Sequence, residues 1–194
     1  KNNSGILEIG GIKVTELAEK YGTPLYIMDQ ELIEENMMKY KENFKSEKFK
    51  TTVVYASKAF LSKAICKLVE KHDLHIDAVS GGELYTIKAS GISMERVHMH
   101  GNNKTDDELR MCLDYGIGSI IIDNEEEIER VSKICLEKDQ KVKVMLRINI
   151  GIDAHTHEYI QTSKHSSKFG ESIFDERFPE IVEKITSNKN LEFS

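Results

Sequence analysis

The feature that most constrains the fold of this chain is a short apolar segment that recurs about every 21 to 24 residues, the length of one strand–helix unit with short loops. Segments of this kind, rich in valine and isoleucine, are typical of buried parallel strands, and helical patterns fill the intervals between them. Leu191–Phe193 has the pattern of one further strand. The chain is therefore predicted to have an α/β fold. The recurring segments are centred on Val53–Val54, Ile76, Val97, Ile120–Ile122 and Val142–Leu146.

The even spacing predicts a partial (βα)8 barrel of the TIM type rather than a doubly wound sheet. No apolar segment is followed by the glycine-rich dinucleotide-binding turn that marks many doubly wound folds. A (βα)8 barrel needs eight strands and about 250 residues to close, and about five of the eight units are visible here. Because the sequence has 194 residues and begins without methionine, we expect it to be the N-terminal part of a longer protein.

The opening region differs from the repeating one. Gly10–Val14 has the pattern of a short strand, and Thr15–Tyr21 that of a short helix ended by a glycine. Leu25–Met28 is predicted to be another strand. Asp29 is a candidate N-cap for a longer helix. The apolar positions of that helix have helical spacing: Ile33, Met37, Tyr40 and Phe44.

The charge and cysteine content limit the partners and the compartment. Lys and Arg number 27 against 33 Asp and Glu, which gives a net charge of −6. An acidic balance disfavours nucleic acid and anionic membranes as partners. No apolar run is long enough for a transmembrane helix. Cys66, Cys112 and Cys135 lie in helical patterns, so we expect buried, reduced thiols and a cytoplasmic location.

Four polar residues at strand ends or inside strands form the candidate site. Lys58 ends the first apolar segment, and a lysine there is a candidate Schiff-base nucleophile. Asp77 interrupts the second segment and needs a cationic partner, such as Lys58 or a cofactor nitrogen. His100 and Arg147 follow the third and fifth segments. Because the carboxyl ends of parallel strands meet at one edge, these groups should converge, and together they suit pyridoxal phosphate.

The longest connection, residues 150–172, is a candidate substrate loop, since long loops carry function more often than short ones. His155, His157 and Lys168 are its candidate substrate contacts. The two histidines and Glu158 would also suit zinc. A His-x-His pair without further ligands is a weak signal, so no metal is expected.

Two further motifs admit a plain structural interpretation. Ser80–Glu83 follows a strand and opens a helix, so its two glycines either bring backbone amides to a ligand or form an ordinary tight turn. Glu125–Glu127 crowds the first turn of a helix, where the helix dipole favours acidic residues. We interpret that acidic cluster as a solvated face.

Several segments are recognisable when taken together: Thr23–Tyr26, Tyr55–Phe60, Asp77–Leu84, His100–Lys104, Arg147–Gly151, Asp153–Ile160 and Ser167–Gly170. They resemble the N-terminal half of the diaminopimelate decarboxylases, a family in the alanine-racemase-like class of pyridoxal phosphate enzymes. The resemblance covers nearly the whole chain. The last two segments are the most specific, because they separate this family from ornithine and arginine decarboxylases better than the Lys58 motif does.

The resemblance implies roles for the site residues. Lys58 would form the Schiff base with pyridoxal 5'-phosphate and would be the catalytic residue. Ala56, Asp77 and Arg147 occupy positions that line the cofactor in such enzymes, and His100 is placed with them.

The resemblance also implies an architecture. Residues 1–28 would contribute to a β-rich second domain, and residues 29–194 would form the N-terminal part of a pyridoxal phosphate-binding (βα)8 barrel. The working unit would be a homodimer, and residues 1–194 alone are expected to be inactive. Phe60 and Ile150 depart from the usual pattern, in which asparagine and proline are common, and neither change removes a cofactor ligand.

The function implied for the full-length protein is decarboxylation of meso-2,6-diaminopimelate to L-lysine and carbon dioxide. Two alternatives stay open at this point. One is decarboxylation of another basic amino acid or of a carboxylated polyamine. The other is a non-catalytic pyridoxal phosphate-binding protein of the same fold, which the long loop at residues 150–172 disfavours.

Overall fold

A computed structural model describes residues 5–151 and 169–194 of the chain. The chain divides into two compact units, residues 1–53 and residues 54–194, and each is described by itself. The candidate substrate contacts His155, His157 and Lys168 lie outside the described residues.

The first unit opens with a hairpin rather than the single strand predicted for Gly10–Val14. Strand β1 (Glu8–Ile9) pairs antiparallel with β2 (Ile12–Lys13). Gly10 and Gly11 form the connecting turn, with φ angles of 54° and 75°. Two successive positive φ values favour glycine and match the twist of a two-residue hairpin. The two glycines therefore separate β1 from β2 and do not belong to a strand themselves. Helix α1 (Val14–Tyr21) follows and ends at Gly22, as predicted.

The strand predicted at Leu25–Met28 is not formed. The segment has no regular secondary structure, because an apolar run becomes a strand only where a partner supplies ladder hydrogen bonds. Helix α2 (Gln30–Asn43) begins as predicted, with the Asp29 carboxylate accepting the Leu32 amide at 3.2 Å. Met37 is buried within the described residues, whereas Tyr40 on the same predicted face is exposed.

The second unit is built on a parallel sheet, which confirms the predicted α/β class. The sheet has six strands, which lie side by side in the order in which they occur along the chain. Each strand pairs with the next one along the chain, and the order never reverses as it does in a doubly wound sheet. The strands are β3 (Val54–Ala56), β4 (His75–Ala78), β5 (Val97–Met99), β6 (Ser119–Ile122), β7 (Val142–Leu146) and β10 (Leu191–Phe193).

The helices of this unit form one layer, since each contacts the next in chain order. Serine, threonine or asparagine side chains cap four of their N-termini. The first helix begins at Lys63, because Ser62 supplies its cap. The helices are α3 (Lys63–Lys71), α4 (Gly81–Ser90), α5 (Asp106–Tyr115), α6 (Glu125–Lys138) and α7 (Phe178–Thr186).

The core of the second unit lies between the sheet and this helix layer. Along β4 and β5, Ile76, Ala78, Val97 and Met99 are fully buried, whereas the residues that alternate with them are only half-buried. The period of two places polar residues on the opposite face of the sheet. The three cysteines are buried and free, as predicted.

A small parallel pair flanks the long connection. Strand β8 (Ile148–Asn149) pairs with β9 (Glu171–Ser172). This pair fixes the chain on both sides of residues 152–168. None of the helices in the described ranges is long and apolar enough to cross a membrane.

Candidate active site

A cavity of about 350 Å³ lies at the carboxyl ends of strands β3, β4, β5 and β7. The residues assigned from the sequence to the catalytic and cofactor-binding positions all line it, so the predicted convergence is present in the structure. Its lining residues are Ala56, Ser57, Lys58, Asp77, Val79, His100, Gly101, Asn102, Arg147 and Phe169.

Lys58 lies in a single 3-10 turn, Ser57–Ala59, directly after β3. The turn ends the extended backbone and places the amine at the mouth of the cavity. Within the described ranges, the Lys58 ammonium has neither a hydrogen bond nor an ion pair, and the residue is exposed. An uncommitted amine at a strand end is suited to covalent bond formation with a carbonyl group.

Asp77, in β4, pairs with His100, which directly follows the neighbouring strand β5. Asp77 Oδ1 and His100 Nε2 are 3.3 Å apart, and both side chains are half-buried. The His100 amide donates to the Ala78 carbonyl at 2.7 Å, which fixes the backbone at this point. The sequence led us to expect a pair between Asp77 and Lys58 or a cofactor nitrogen. The partner found is His100, because the alternation along adjacent strands places both side chains on the same face.

Arg147 is held by a carboxylate that sequence reasoning missed. Its guanidinium donates to Asp123 Oδ1 at 2.8 Å, and Asp123 is 3% exposed. The guanidinium also lies 4.6 Å from the centre of the Phe169 ring, a cation–π distance. Asp123 directly follows the apolar strand β6. Asp77 was noticed because an acidic residue beside apolar strand residues needs a polar or cationic partner, and the same reasoning applies to Asp123.

A buried ion pair lies behind the cavity wall. Lys104 Nζ is 2.7 Å from Glu127 Oε2, and the two side chains are 1% and 2% exposed. The interpretation of Glu125–Glu127 as a solvated face is therefore wrong for Glu127. Glu125 also has partners, Lys184 and Arg177. The dipole argument explains acids at a helix start and says nothing about whether a cation from another element reaches them.

The turn at Ser80–Glu83 connects β4 to α4. The Gly81 amide donates to Glu108 Oε1 at 2.8 Å, and the Val79 amide donates to Glu83 Oε2 at 2.6 Å. Ser80 caps the helix through the Glu83 amide. The Gly81 amide is thus bonded within the protein, which favours the tight-turn interpretation.

A polar cluster lies on the same sheet face, nearer the amino ends of the strands. His75 Nδ1 and His98 Nε2 are 2.8 Å apart, with the rings stacked at 5.0 Å. His98 Nδ1 is 2.7 Å from Ser119 Oγ. Burial lowers the pKa of His98, and the neighbouring His75 adds to that effect, while Asp77 opposes it. Burial in this cluster thus favours the neutral form of His98.

This shift predicts a pH-dependent stability. A histidine with a lowered pKa binds its proton more readily when unfolded, so its contribution is present above about pH 6.5 and is lost as the pH falls below it. We expect His98→Gln to reduce the loss of unfolding free energy between about pH 7.5 and about pH 5.5. Urea denaturation of the complete protein at both pH values measures this change in unfolding free energy. His72→Gln, outside the cluster, is the control, and equal acid losses in wild type and His98→Gln would contradict the prediction.

Comparison with known proteins identifies the domain. Residues 30–193 match the sequence profile of the pyridoxal-dependent decarboxylases, in its pyridoxal-binding domain. The chain belongs to this family. Pyridoxal phosphate is accordingly the cofactor of the pyridoxal-dependent decarboxylase domain described here, as predicted.

The most informative relatives within the family are diaminopimelate decarboxylases, which confirms the resemblance found in the sequence. The Bacillus subtilis enzyme is 45% identical over 192 residues, covering 99% of this chain and 44% of the relative. That of Bacillus methanolicus is 48% identical over 169 residues, covering 87% of this chain and 39% of the relative. The chain thus spans less than half the length of these relatives.

Solved structures show the same fold. Diaminopimelate decarboxylase from M. jannaschii superposes with a TM-score of 0.89 at 32% identity, covering 100% of this chain and 45% of that one. The same enzyme in complex with L-lysine gives a TM-score of 0.88 at 31% identity, covering 100% of this chain and 45% of that one.

The cavity fits the family's cofactor. Lys58 offers an amine to an aldehyde, and Arg147 offers a cation to an anionic group. Ser57 Oγ is buried on the cavity wall and has no hydrogen-bond partner among the described residues. A buried hydroxyl of this kind is left for a bound group to satisfy. In the same part of the chain, no cluster of three or more potential metal ligands occurs. The alternative zinc ligands His155, His157 and Glu158 lie outside it.

Proposed function

We propose that the complete protein containing this chain decarboxylates meso-2,6-diaminopimelate to L-lysine and carbon dioxide, as a step of lysine biosynthesis. The observation that carries the proposal is the cavity in which the free amine of Lys58 meets Asp77, His100 and Arg147. The curated relatives named diaminopimelate decarboxylase support the substrate. The M. jannaschii relative was solved with L-lysine, the proposed product.

Each residue has a distinct proposed role. Lys58 Nζ would hold the cofactor covalently through the cofactor's aldehyde group. Arg147, fixed by Asp123, presents a positive charge to an anionic group. Asp77 and His100 form a paired polar wall, with Ala56 at the first strand end. The bound cofactor supplies an electron sink for the pair left when the carboxylate departs.

The fold we propose for the complete domain is a (βα)8 barrel. Six parallel strands in chain order with one helix layer support it, since eight such strands close a barrel. We also propose that residues 1–28 contribute to a β-rich second domain and residues 29–194 to the barrel. His155, His157 and Lys168 are proposed to contact the substrate.

We further propose a cytoplasmic homodimer that takes a small amino acid as its substrate. Three buried cysteines that remain unpaired support a reducing compartment. The acidic net charge of −6 supports the absence of a nucleic-acid partner.

A substrate panel tests the function. The complete protein, supplied with pyridoxal phosphate, is incubated separately with meso-diaminopimelate, L-ornithine, L-arginine and a carboxylated polyamine. Carbon dioxide and amine products are quantified in each case. We expect kcat/KM for meso-diaminopimelate to exceed the others by at least about a hundredfold, because a site built to bond polar groups rejects analogues that lack them. A preference for another substrate selects the alternative decarboxylase, and no turnover with bound cofactor selects the non-catalytic protein.

A further inference from the structure

We infer that Lys104 and Glu127 form a positioning pair that fixes two walls of the cofactor cavity relative to each other. The inference rests on the proposed function, because it assigns the pair a role in cofactor binding. Neither residue lines the cavity. Each is bonded to a backbone atom of a nearby loop. The loop bonded by Lys104 contains cavity residues, and the loop bonded by Glu127 contains Asp123, which holds the cavity residue Arg147.

The first connection runs from Lys104 to the loop after β5. Lys104 Nζ donates to the Gly101 carbonyl at 2.7 Å. Gly101 lies between His100 and Asn102, and all three line the cavity. The Cβ of a residue other than glycine at position 101 would lie 3.8 Å from Lys104 Cγ, and the φ of Gly101 is 118°. The lysine side chain therefore packs against this loop as well as bonding to it.

The second connection runs from Glu127 to the loop after β6. Glu127 Oε2 accepts the Asp123 amide at 2.9 Å. The side chain of Asp123 in turn accepts from Arg147 at 2.8 Å. Glu127 thus fixes the backbone of the residue that orients the cavity cation.

The pair itself joins the two connections. Lys104 Nζ donates to Glu127 Oε1 at 2.9 Å and to Oε2 at 2.7 Å. With the Gly101 bond, all three ammonium hydrogens are used. A fully bonded pair of this kind allows only a narrow range of positions for the two loops.

A role in folding alone does not account for this choice of residues. Replacing a buried ion pair by apolar side chains of similar volume is often neutral or stabilising. Apolar residues could fill the same space, but they could neither donate to the Gly101 carbonyl nor accept the Asp123 amide. Through these two backbone bonds, the charged pair sets the position of His100 relative to Arg147.

The test separates placement from stability. Lys104→Met combined with Glu127→Leu removes both charges while keeping volume, and it is made in the complete protein. Apoprotein is titrated with pyridoxal phosphate, and the melting temperature is measured. We expect a folded variant whose dissociation constant for pyridoxal phosphate is raised at least about tenfold, the size of one lost hydrogen bond to a charged group.

A second variant covers failure to fold. Lys104→Met with Glu127→Gln keeps an acceptor for the Asp123 amide and loses the Gly101 bond together with the two bonds between Lys104 and Glu127. It is expected to raise the dissociation constant by about threefold to tenfold, because one of the two connections remains. Wild-type affinity in whichever variant folds would overturn the inference.

A mutant cycle and a control complete the test. Asp123→Ala is expected to weaken cofactor binding in the wild type and to add little in the Lys104→Met/Glu127→Leu background, because both act on Arg147. Full additivity would contradict the Asp123 connection. The matched control is Arg110→Met with Glu137→Leu, an exposed pair joining α5 and α6 at 2.6 Å, which should leave the dissociation constant unchanged.

The outcome is distinguishable from a failure of the proposed function. The readout is cofactor affinity, which does not depend on the identity of the substrate. A wild type that binds pyridoxal phosphate and produces no lysine overturns the proposed substrate and leaves the positioning test intact. A protein that produces lysine with equal cofactor affinity in wild type and both variants overturns only the positioning pair.

Discussion

Under the proposed function, replacing Lys58 with alanine in the complete protein will reduce lysine production from meso-diaminopimelate by at least about a thousandfold, because the substitution removes the nucleophile proposed to hold the cofactor. The visible absorbance of protein-bound cofactor should change with it, since free and lysine-bound pyridoxal phosphate differ in their spectra. Stability should change little, because Lys58 is exposed and forms no bond within the described residues. Steady-state assay, absorbance spectra and urea denaturation of the complete protein measure the three effects.

Two controls isolate the amine. Lys58→Arg keeps the positive charge without a competent nucleophile and should be as inactive as the alanine variant. Lys63→Ala removes an exposed lysine at the start of α3 and should retain wild-type activity. Lysine production at the wild-type rate in Lys58→Ala would refute the assignment of the catalytic residue.

Replacing Lys104 alone with alanine will lower the free energy of unfolding by about 3–5 kcal/mol, because the change leaves the Glu127 carboxylate buried without its cation. The Glu127 side chain is 2% exposed, so its carboxylate is shielded from bulk water. Urea denaturation of the complete protein, followed by circular dichroism, gives the value. The double apolar replacement should lose far less, since it removes both charges together.

Lys138→Ala is the matched control for that loss. Lys138 pairs with Asp114 at the other end of α6, where the aspartate side chain is 54% exposed. An exposed pair contributes about 0–1 kcal/mol. Equal losses in Lys104→Ala and Lys138→Ala would show that burial of the Lys104–Glu127 pair has no energetic consequence.

Much of the fold was predictable because it depends on a local period. Strands β3 to β7 and β10 each contain a short apolar run. The regular interval between these runs predicts that the strands are parallel and follow one another in chain order. The same logic located Lys58 and Arg147, since each follows such a run directly. A polar residue at a strand end needs no knowledge of its neighbours to be noticed.

The missed features depend on contacts between distant segments. Lys104 and Glu127 each have an ordinary local explanation, in a polar loop and in an acidic helix start, and only the packing of α6 brings them together. Asp123 directly follows β6 and could have been noticed from its position alone, whereas its bond to Arg147 depends on the packing of separate strands. The strand predicted at Leu25–Met28 failed because its apolar pattern says nothing about a pairing partner.

The alternation along β4 and β5 has a consequence for how this protein can change over evolutionary time. Ile76, Ala78, Val97 and Met99 face the helices and hold the sheet together, while His75, Asp77 and His98 occupy the intervening positions. In β4, core packing and the cavity lining are thus encoded by alternate residues, with Ile76 and Ala78 in the core and Asp77 at the cavity. Substitutions at the second set can therefore change the polar face of the sheet while the residues that pack against the helices stay the same.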